Sequence, residues 1–225
     1  MKPLVVFGAG GLARELLQIV RDINAVAETW DFLGFLDGNP EIVGEQIQGY
    51  PVLGGASWIE GKPRIQVSVG IGAAPAKRNV ARQVESAGGR FATLIHPRAW
   101  IGQFVSIGEG TIVCAGVMVT TDVRIGKHVI VNLGCTIGHD VSVGDYVTIA
   151  PSVNVSGSVS IGEGCDLGTN ATIIQGKSIG AWSIVGAAAA VVDDLPANVT
   201  AVGVPARPIK MRPAGWHLGE GQAGS

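Results

Sequence analysis

The chain has 225 residues, 16 of them Lys or Arg and 18 Asp or Glu, for a formal charge of −2. That balance excludes the basic surface a nucleic-acid binder needs. A hydrophobic fraction of 47% with 15% charged residues excludes disorder over most of the length. Aromatic residues are 5% while glycines number 34, so the core must come from Val, Ile, Leu and Ala, which favours narrow, repetitive β packing. Mean hydropathy is +0.37, yet the best apolar run, Ile184 to Val192, contains Gly186 and falls far short of the ~20 residues a membrane span requires. No membrane insertion is expected. Leu4 to Phe7 passes straight into Gly8-Ala9-Gly10-Gly11 without a cleavage-like segment, so a cytoplasmic protein is expected. Cys114, Cys135 and Cys165 are odd in number and lack CxxC spacing. They predict small buried thiols and no metal site.

In chain order, residues 1–95 read as a small βαβ (Rossmann-like) unit. Leu4–Phe7 predicts a buried strand, and Leu12, Leu16, Ile19, Val20 and Ile23 follow helical spacing. Between them Gly8-Ala9-Gly10-Gly11-Leu12-Ala13 fits G-x-G-x-x-A, which permits a tight turn and offers helix N–H groups to a phosphate. The bland reading is that these glycines only let helix and strand pack closely. Phe32–Leu36 predicts a second strand ending at Asp37-Gly38, where a carboxylate meets a ribose or base edge. Ile65–Gly72 predicts a third strand, Lys77–Ala87 a second helix and Phe91–Ile95 a fourth strand. There is no room for a second mononucleotide half.

From Ile101, every sixth residue is a branched aliphatic for sixteen positions, through Ile107, Val113 and onward to Val185 and Val191, with no insertion. Glycine often follows, as at Gly102, Gly126, Gly144 and Gly162, and the fifth place is small or β-branched, as at Val117, Val129 and Cys135. Fifth and next first residues lie two apart and face the same way on a strand. Each hexad is then a short strand and a turn, three closing one coil of 18 residues. Stacked coils bury one another's faces. This predicts a parallel β-helix over 96–196. A C-terminal segment at 197–212 and a disordered tail at 213–225 follow. Lys177 at an inward-type position and Ile174 in place of Gly predict a bent turn near 173–178, with Lys177 reaching solvent.

The repeat resembles the hexapeptide acyltransferases, which form a left-handed parallel β-helix. With the glycine-rich βαβ unit before it, the chain resembles the sialic acid O-acetyltransferase and nucleotide-sugar N-acetyltransferase family. The motifs are Val6-Phe7-Gly8-Ala9-Gly10-Gly11, Gly34-Phe35-Leu36-Asp37, Ile95-His96-Pro97, Asn132 to Asp140 and Gly203-Val204-Pro205-Ala206-Arg207. The resemblance implies acetyl transfer from acetyl-CoA to a sugar amine or hydroxyl, with His139 as general base and Asp140 supporting it. It implies a nucleotide-sugar held by Gly8, Gly10, Gly11, Leu12, Ala13, Asp37 and Gly38. It implies acetyl-CoA along the β-helix between subunits of a homotrimer, near Thr148, Gly157, Gly168, Thr169, Ala187, Gly203, Pro205 and Arg207. Three residues depart from the family pattern. Leu12 stands where many relatives have His, Gly38 where many have Asp, and Thr148 where some have a second active-site His.

The chemistry needs a base, because an attacking amine or hydroxyl must lose a proton, and imidazole titrates near neutral pH. His139 lies at a turn position pointing out of the coil, beside Asp140. By its position His128 reads as a surface residue, His96 as a structural hydrogen-bonding residue before Pro97, and His217 as part of the tail. The leading expectation is N-acetylation of a nucleotide-linked amino sugar. O-acetylation of sialic acid or another glycan hydroxyl, and a non-catalytic structural β-helix, are the alternatives.

Overall fold

The structure is a computed structural model and describes residues 1–218. Strand β1 (Lys2–Phe7) leads into helix α1 (Gly11–Val26) and strand β2 (Trp30–Leu36). A small hairpin, β3 (Gln46–Ile47) and β4 (Tyr50–Pro51), precedes β5 (Gln66–Val69), α2 (Ala74–Ser86) and β6 (Arg90–Phe91). The parallel sheet runs β2-β1-β5-β6. Chain order reverses between β1 and β5, so a crevice opens at their C-terminal ends, the place where open α/β sheets bind ligands. α1 buries Leu16, Ile19 and Val20 of the predicted stripe, with Ala13 and Leu17 beside them, while Leu12 and Ile23 are half-buried. The segment expected as one fourth strand divides: Arg90–Phe91 stays in this sheet, while Leu94–Ile95 is already the first strand of the β-helix.

Three parallel sheets form the faces of the prism. The first stacks the strands at Leu94, Ile112, Ile130, Thr148, Asp166 and Ile184. The second stacks those at Trp100, Met118, Thr136, Asn154, Thr172 and Ala190. The third stacks those at Ser106, Arg124, Ser142, Ser160 and Ser178. Every pairing steps by 18 residues, as the hexads require. The inward residues, among them Val117, Val131, Ile137, Val147 and Val185, are fully buried. The turn glycines have a direct cause. A Cβ at Gly108 would meet the Gly126 backbone at 2.5 Å, and one at Gly144 would meet Glu163 N at 2.6 Å. Consecutive corners stack too closely for a side chain there.

The bent turn expected near Lys177 does not form. Ser160 pairs with Ser178 and Ile161 with Ile179 in unbroken register, and Lys177 is half-buried. Its carbonyl, which accepts from Ser160 N at 2.9 Å, keeps the ladder intact whatever the side chain. The last coil is shorter: Ile184 pairs with Thr200. The strand Val199–Val202 then turns back antiparallel into Arg207–Met211, which covers the end of the first face. Beyond it, Trp216–Leu218 forms a short turn with His217 stacked on Trp182 at 3.7 Å. The rest of the expected tail lies outside the described residues. Among the described residues no helix is long and apolar enough to cross a membrane.

The βαβ unit sits on the first face. Outward residues Ile112 and Ile130 are each 1% exposed beneath it, and Thr148 is buried. Outward residues of the second and third faces stay bare: Trp100, Met118 and Asn154 on one, Arg124, Ser160 and Ser178 on the other.

Candidate active site

His139 and Asp140 occupy the edge between the two bare faces. Asp140 has φ +59°, a left-handed corner conformation that Asp tolerates better than most residues. Its carboxylate lies 2.7 Å from His139 Nδ1, and both side chains are about 60% exposed (62% and 61%). A carboxylate only accepts, so Nδ1 carries the proton and Nε2 is left with a free lone pair. The ring lies on Gly157, one coil further on: a Cβ there would come within 2.6 Å of both Cε1 and Nε2. Thr121 is the matching residue one coil before. Below Asp140 a shallow concavity of about 420 Å³ is lined by Phe104, Asp122, Arg124 and Asp140. A second concavity, about 350 Å³ between Ala56–Glu60 and the end of α2, holds none of the expected site residues.

The expected nucleotide residues gather at the crevice of the βαβ sheet. Gly8 N donates to Leu36 O at 2.6 Å, which sets the glycine turn against Asp37. The Asp37 carboxylate is half-buried and accepts from Asn39 N at 2.9 Å. Gly8, at φ +111°, faces the Gly70 carbonyl at 3.0 Å, so close packing explains this glycine. It does not explain Gly10 or Gly38, where a Cβ would meet nothing within 4 Å, or Gly11, where it would meet only the Arg14 side chain at 3.9 Å. The N-terminus of α1 has no side-chain cap and no acid in its first turn, so its leading N–H groups are free for an anion. Ala13 faces elsewhere. It is fully buried, and a Cβ on Gly70 would lie 2.9 Å from its Cα, so it serves helix–strand packing. Leu12 is half-buried against the core.

The expected acetyl-CoA residues divide between two edges. Gly157 lies under His139. Gly168, Thr169 and Ala187 stack along the edge between the first and second faces, with Thr169 and Ala187 exposed. The loop Gly203–Arg207 joins them there: Ala190 N donates to Gly203 O, and Ala206 N to Ala190 O. Pro205 is exposed in that loop. The Arg207 guanidinium reaches Asp193 at 2.6 Å, so its charge is already partnered. A Cβ at Gly168 would strike Ala187 N at 2.6 Å, so coil stacking alone requires this glycine. Thr148 stands on the first face. Its hydroxyl donates to Gly72 O at 2.5 Å and accepts from Lys77 Nζ at 2.7 Å, so its one proton is engaged.

The other histidines differ from His139. His96 accepts from Arg98 N at Nδ1 (2.9 Å) and so presents a protonated Nε2 to Asp22 Oδ2 (2.9 Å). It is the structural residue expected at the junction, and its hydrogen bond holds the Asp22 carboxyl below its ordinary value. His128 is not the surface residue expected. It is 2% exposed, edge-on to Phe91 (4.4 Å) and stacked on Tyr146 (5.2 Å). The βαβ unit covers this corner, which the hexad count could not foresee. Burial pushes its pKa down to about 4, with Lys77 adding to the shift. Cys114, Cys135 and Cys165 are buried, and burial pushes their thiols up to about 12, 11 and 12, so none is poised as a nucleophile. Sequence reasoning placed Lys77 in a helix but gave it no role. It is 1% exposed, with its amine against the β-helix.

Comparison with known proteins matches residues 3–84 to the PglD N-terminal domain family. A search of curated protein sequences gives no match. Among solved structures, perosamine N-acetyltransferase from Caulobacter crescentus, in complex with CoA and GDP-perosamine, is 32% identical with a TM-score of 0.81, covering 92% of this chain and 97% of that one. WeeI from Acinetobacter baumannii is 30% identical with a TM-score of 0.83, covering 92% and 99%. The acetyltransferase domain of PglB from Neisseria gonorrhoeae, in complex with acetyl coenzyme A, is 29% identical with a TM-score of 0.83, also covering 92% and 99%. With a glycine-turn βαβ unit, a hexapeptide β-helix and this likeness over nearly its full length, the chain belongs to the nucleotide-sugar acetyltransferase family of left-handed β-helix enzymes.

Proposed function

We infer that the protein transfers acetyl from acetyl-CoA to the amine of a nucleotide-linked amino sugar, with His139 as general base. The observation that carries this is the His139–Asp140 pair, whose geometry leaves Nε2 unprotonated on a side chain that is 62% exposed. In the reaction the amine nitrogen attacks the thioester carbonyl carbon. Nε2 takes the proton the nitrogen sheds, and the thiolate of CoA leaves and receives that proton back. Amide and thiol are the products, and no covalent enzyme intermediate is needed. Asp140 keeps the imidazole in the competent tautomer.

The nucleotide binds at the crevice of β1, β2 and β5. Support comes from the uncapped N-terminus of α1, the open space at Gly10, Gly11 and Gly38, and the Asp37 carboxylate beside them. The bound states of the C. crescentus relative, CoA with GDP-perosamine, fit the same division into two ligands.

The two halves of this site do not face each other within one chain. The βαβ unit covers the first face, and His139 lies on the opposite edge between the other two. The loop at Gly203–Arg207 lies on a third position, the edge of the first and second faces. Transfer therefore uses a base from one copy and a nucleotide-sugar from another, in a homotrimer of side-by-side prisms. Complementation tests this. A His139→Ala chain and a Gly10→Val chain, each strongly impaired alone at limiting nucleotide-sugar, should regain activity when co-assembled. Continued inactivity in mixed trimers would place base and nucleotide in the same chain.

A further inference from the structure

Lys77 is the one lysine fully buried among the described residues. Lysine is almost never buried so completely without a partner. Its Nζ donates to Thr148 Oγ1 at 2.7 Å and approaches Val147 O at 3.2 Å, reaching from the first turns of α2 to the first face of the β-helix. Thr148 passes the contact on, because its hydroxyl donates to Gly72 O at 2.5 Å. Gly72 ends the short segment Gly70-Ile71-Gly72 after β5. That segment forms one wall of the crevice, with Gly70 O and Ile71 Cγ1 at 3.0 and 3.6 Å from the Cβ position of Gly8. A Cβ at Gly72 would meet nothing within 4 Å. The segment is held at Gly70 by its N–H donating to Phe7 O at 2.7 Å and at Ile71 by packing on the sheet core, and at Gly72 by the Thr148 hydroxyl.

We propose that Lys77 is a positioning residue, which through Thr148 clamps the Gly70–Gly72 wall of the nucleotide-sugar crevice onto the β-helix. The inference rests on the nucleotide reading above for its consequence, though not for the clamp itself. An apolar side chain of equal length would fill the same volume without the desolvation cost of an amine. Burial indeed drives this amine down to about 7, with Asp166 on the β-helix opposing the shift. The amine thus opposes stability, and its contribution is the placement of Gly72.

The full-length protein decides the matter with Lys77→Met, Thr148→Val and the conservative Thr148→Ser. In ligand-free protein, backbone ¹⁵N order parameters of Ile71 and Gly72 should fall from about 0.85 to below about 0.6 in the first two variants. They should remain at the wild-type value in Thr148→Ser, and the melting temperature of Lys77→Met should not drop. With GDP-perosamine as the probe acceptor, the first two variants should raise its KM about tenfold. KM for acetyl-CoA should stay within twofold. Unchanged order parameters would overturn the clamp, whatever the nucleotide does. Loosened Ile71 and Gly72 with an unchanged acceptor KM would overturn the positioning role. If wild-type protein neither acetylates nor binds any of the GDP-, UDP-, dTDP- or CMP-linked sugars, the nucleotide reading fails, and the order parameters still decide the clamp.

Discussion

The imidazole of His139 rests its Cε1–Nε2 edge against Gly157, with both atoms 2.6 Å from where a Cβ would stand. The ring is held from one side by a carboxylate and from beneath by the absence of a side chain one coil away. Asp140 sets its tautomer, and Gly157 sets its height over the edge. Gly157→Ala should therefore displace the ring without unfolding the coil, costing at least about tenfold in kcat. His139→Ala removes the base and should cost about 10²–10⁴-fold, with acetyl-CoA affinity retained. Steady-state kinetics on folded protein check both. Near-wild-type turnover in His139→Ala would remove the mechanism.

Asp140→Asn keeps a hydrogen-bonding group beside Nδ1 but replaces an obligate acceptor with an amide. It should lose less than His139→Ala, roughly tenfold in kcat, with KM values unchanged. A loss as large as that of the histidine variant would mean that the Asn amide donates to Nδ1 and moves the ring proton to Nε2, so that control of the tautomer is what Asp140 contributes.

Gly10 separates packing from binding. Its backbone is extended (φ −81°, ψ −164°) and the space about it is empty, so Gly10→Val should leave the melting temperature within about 2 °C, the usual range for a surface change. KM for the nucleotide-sugar should rise by an order of magnitude or more while KM for acetyl-CoA holds. Asp37→Ala should show the same split. Equal effects on both substrates would count against the crevice.

His128 predicts an acid limit to stability. Its folded value of about 4 lies below the ~6.5 of an unfolded chain. Between those values the unfolded state holds a proton that the folded state refuses, so stability falls as pH drops from about 6.5 toward 4 and the effect levels off below. Buried Nδ1 has no hydrogen-bond partner and lies over Gly110, so nothing compensates a second proton. The slope from this residue approaches about 1.4 kcal/mol per pH unit. Chemical denaturation from pH 7 to 4.5 should show it, and His128→Leu should flatten the curve.

Lys77 acts in the neighbouring window. Its folded value of about 7 lies below the ~10.4 of an unfolded lysine, so the unfolded state again binds the extra proton and stability rises with pH from about 7 upward. Asp166 and His128 are the titrating groups that face it. Between pH 7 and 9 wild-type protein should gain stability and Lys77→Met should not. A parallel rise in both would assign the slope to other groups.

The β-helix was legible because each hexad makes the same local demand. Ile101, Ile107 and Val113 face inward by spacing alone, and glycines such as Gly108, Gly126, Gly144 and Gly162 answer the corner one coil on. The glycine turn and Asp37 could be read for the same reason, since a strand-to-helix turn is a local matter. What escaped was long-range. The burial of His128 depends on Phe91 and that of Thr148 on Lys77, 71 residues away. No periodicity says which face a separate unit will cover. The Lys177 turn failed differently: side-chain type was taken to bend a corner that the backbone ladder to Ser160 holds straight.

A stack of parallel strands has two open ends, and each offers unpaired N–H and C=O groups to any passing strand. At the far end of the first face, the antiparallel return at Arg207–Met211 occupies those groups on Val199–Val202. Reversed polarity matters here, because the return strand presents its own outer rim in a direction that does not continue the parallel ladder. The first face is therefore terminated at this end, where a further parallel strand would meet an antiparallel neighbour and not the repeat of its own ladder.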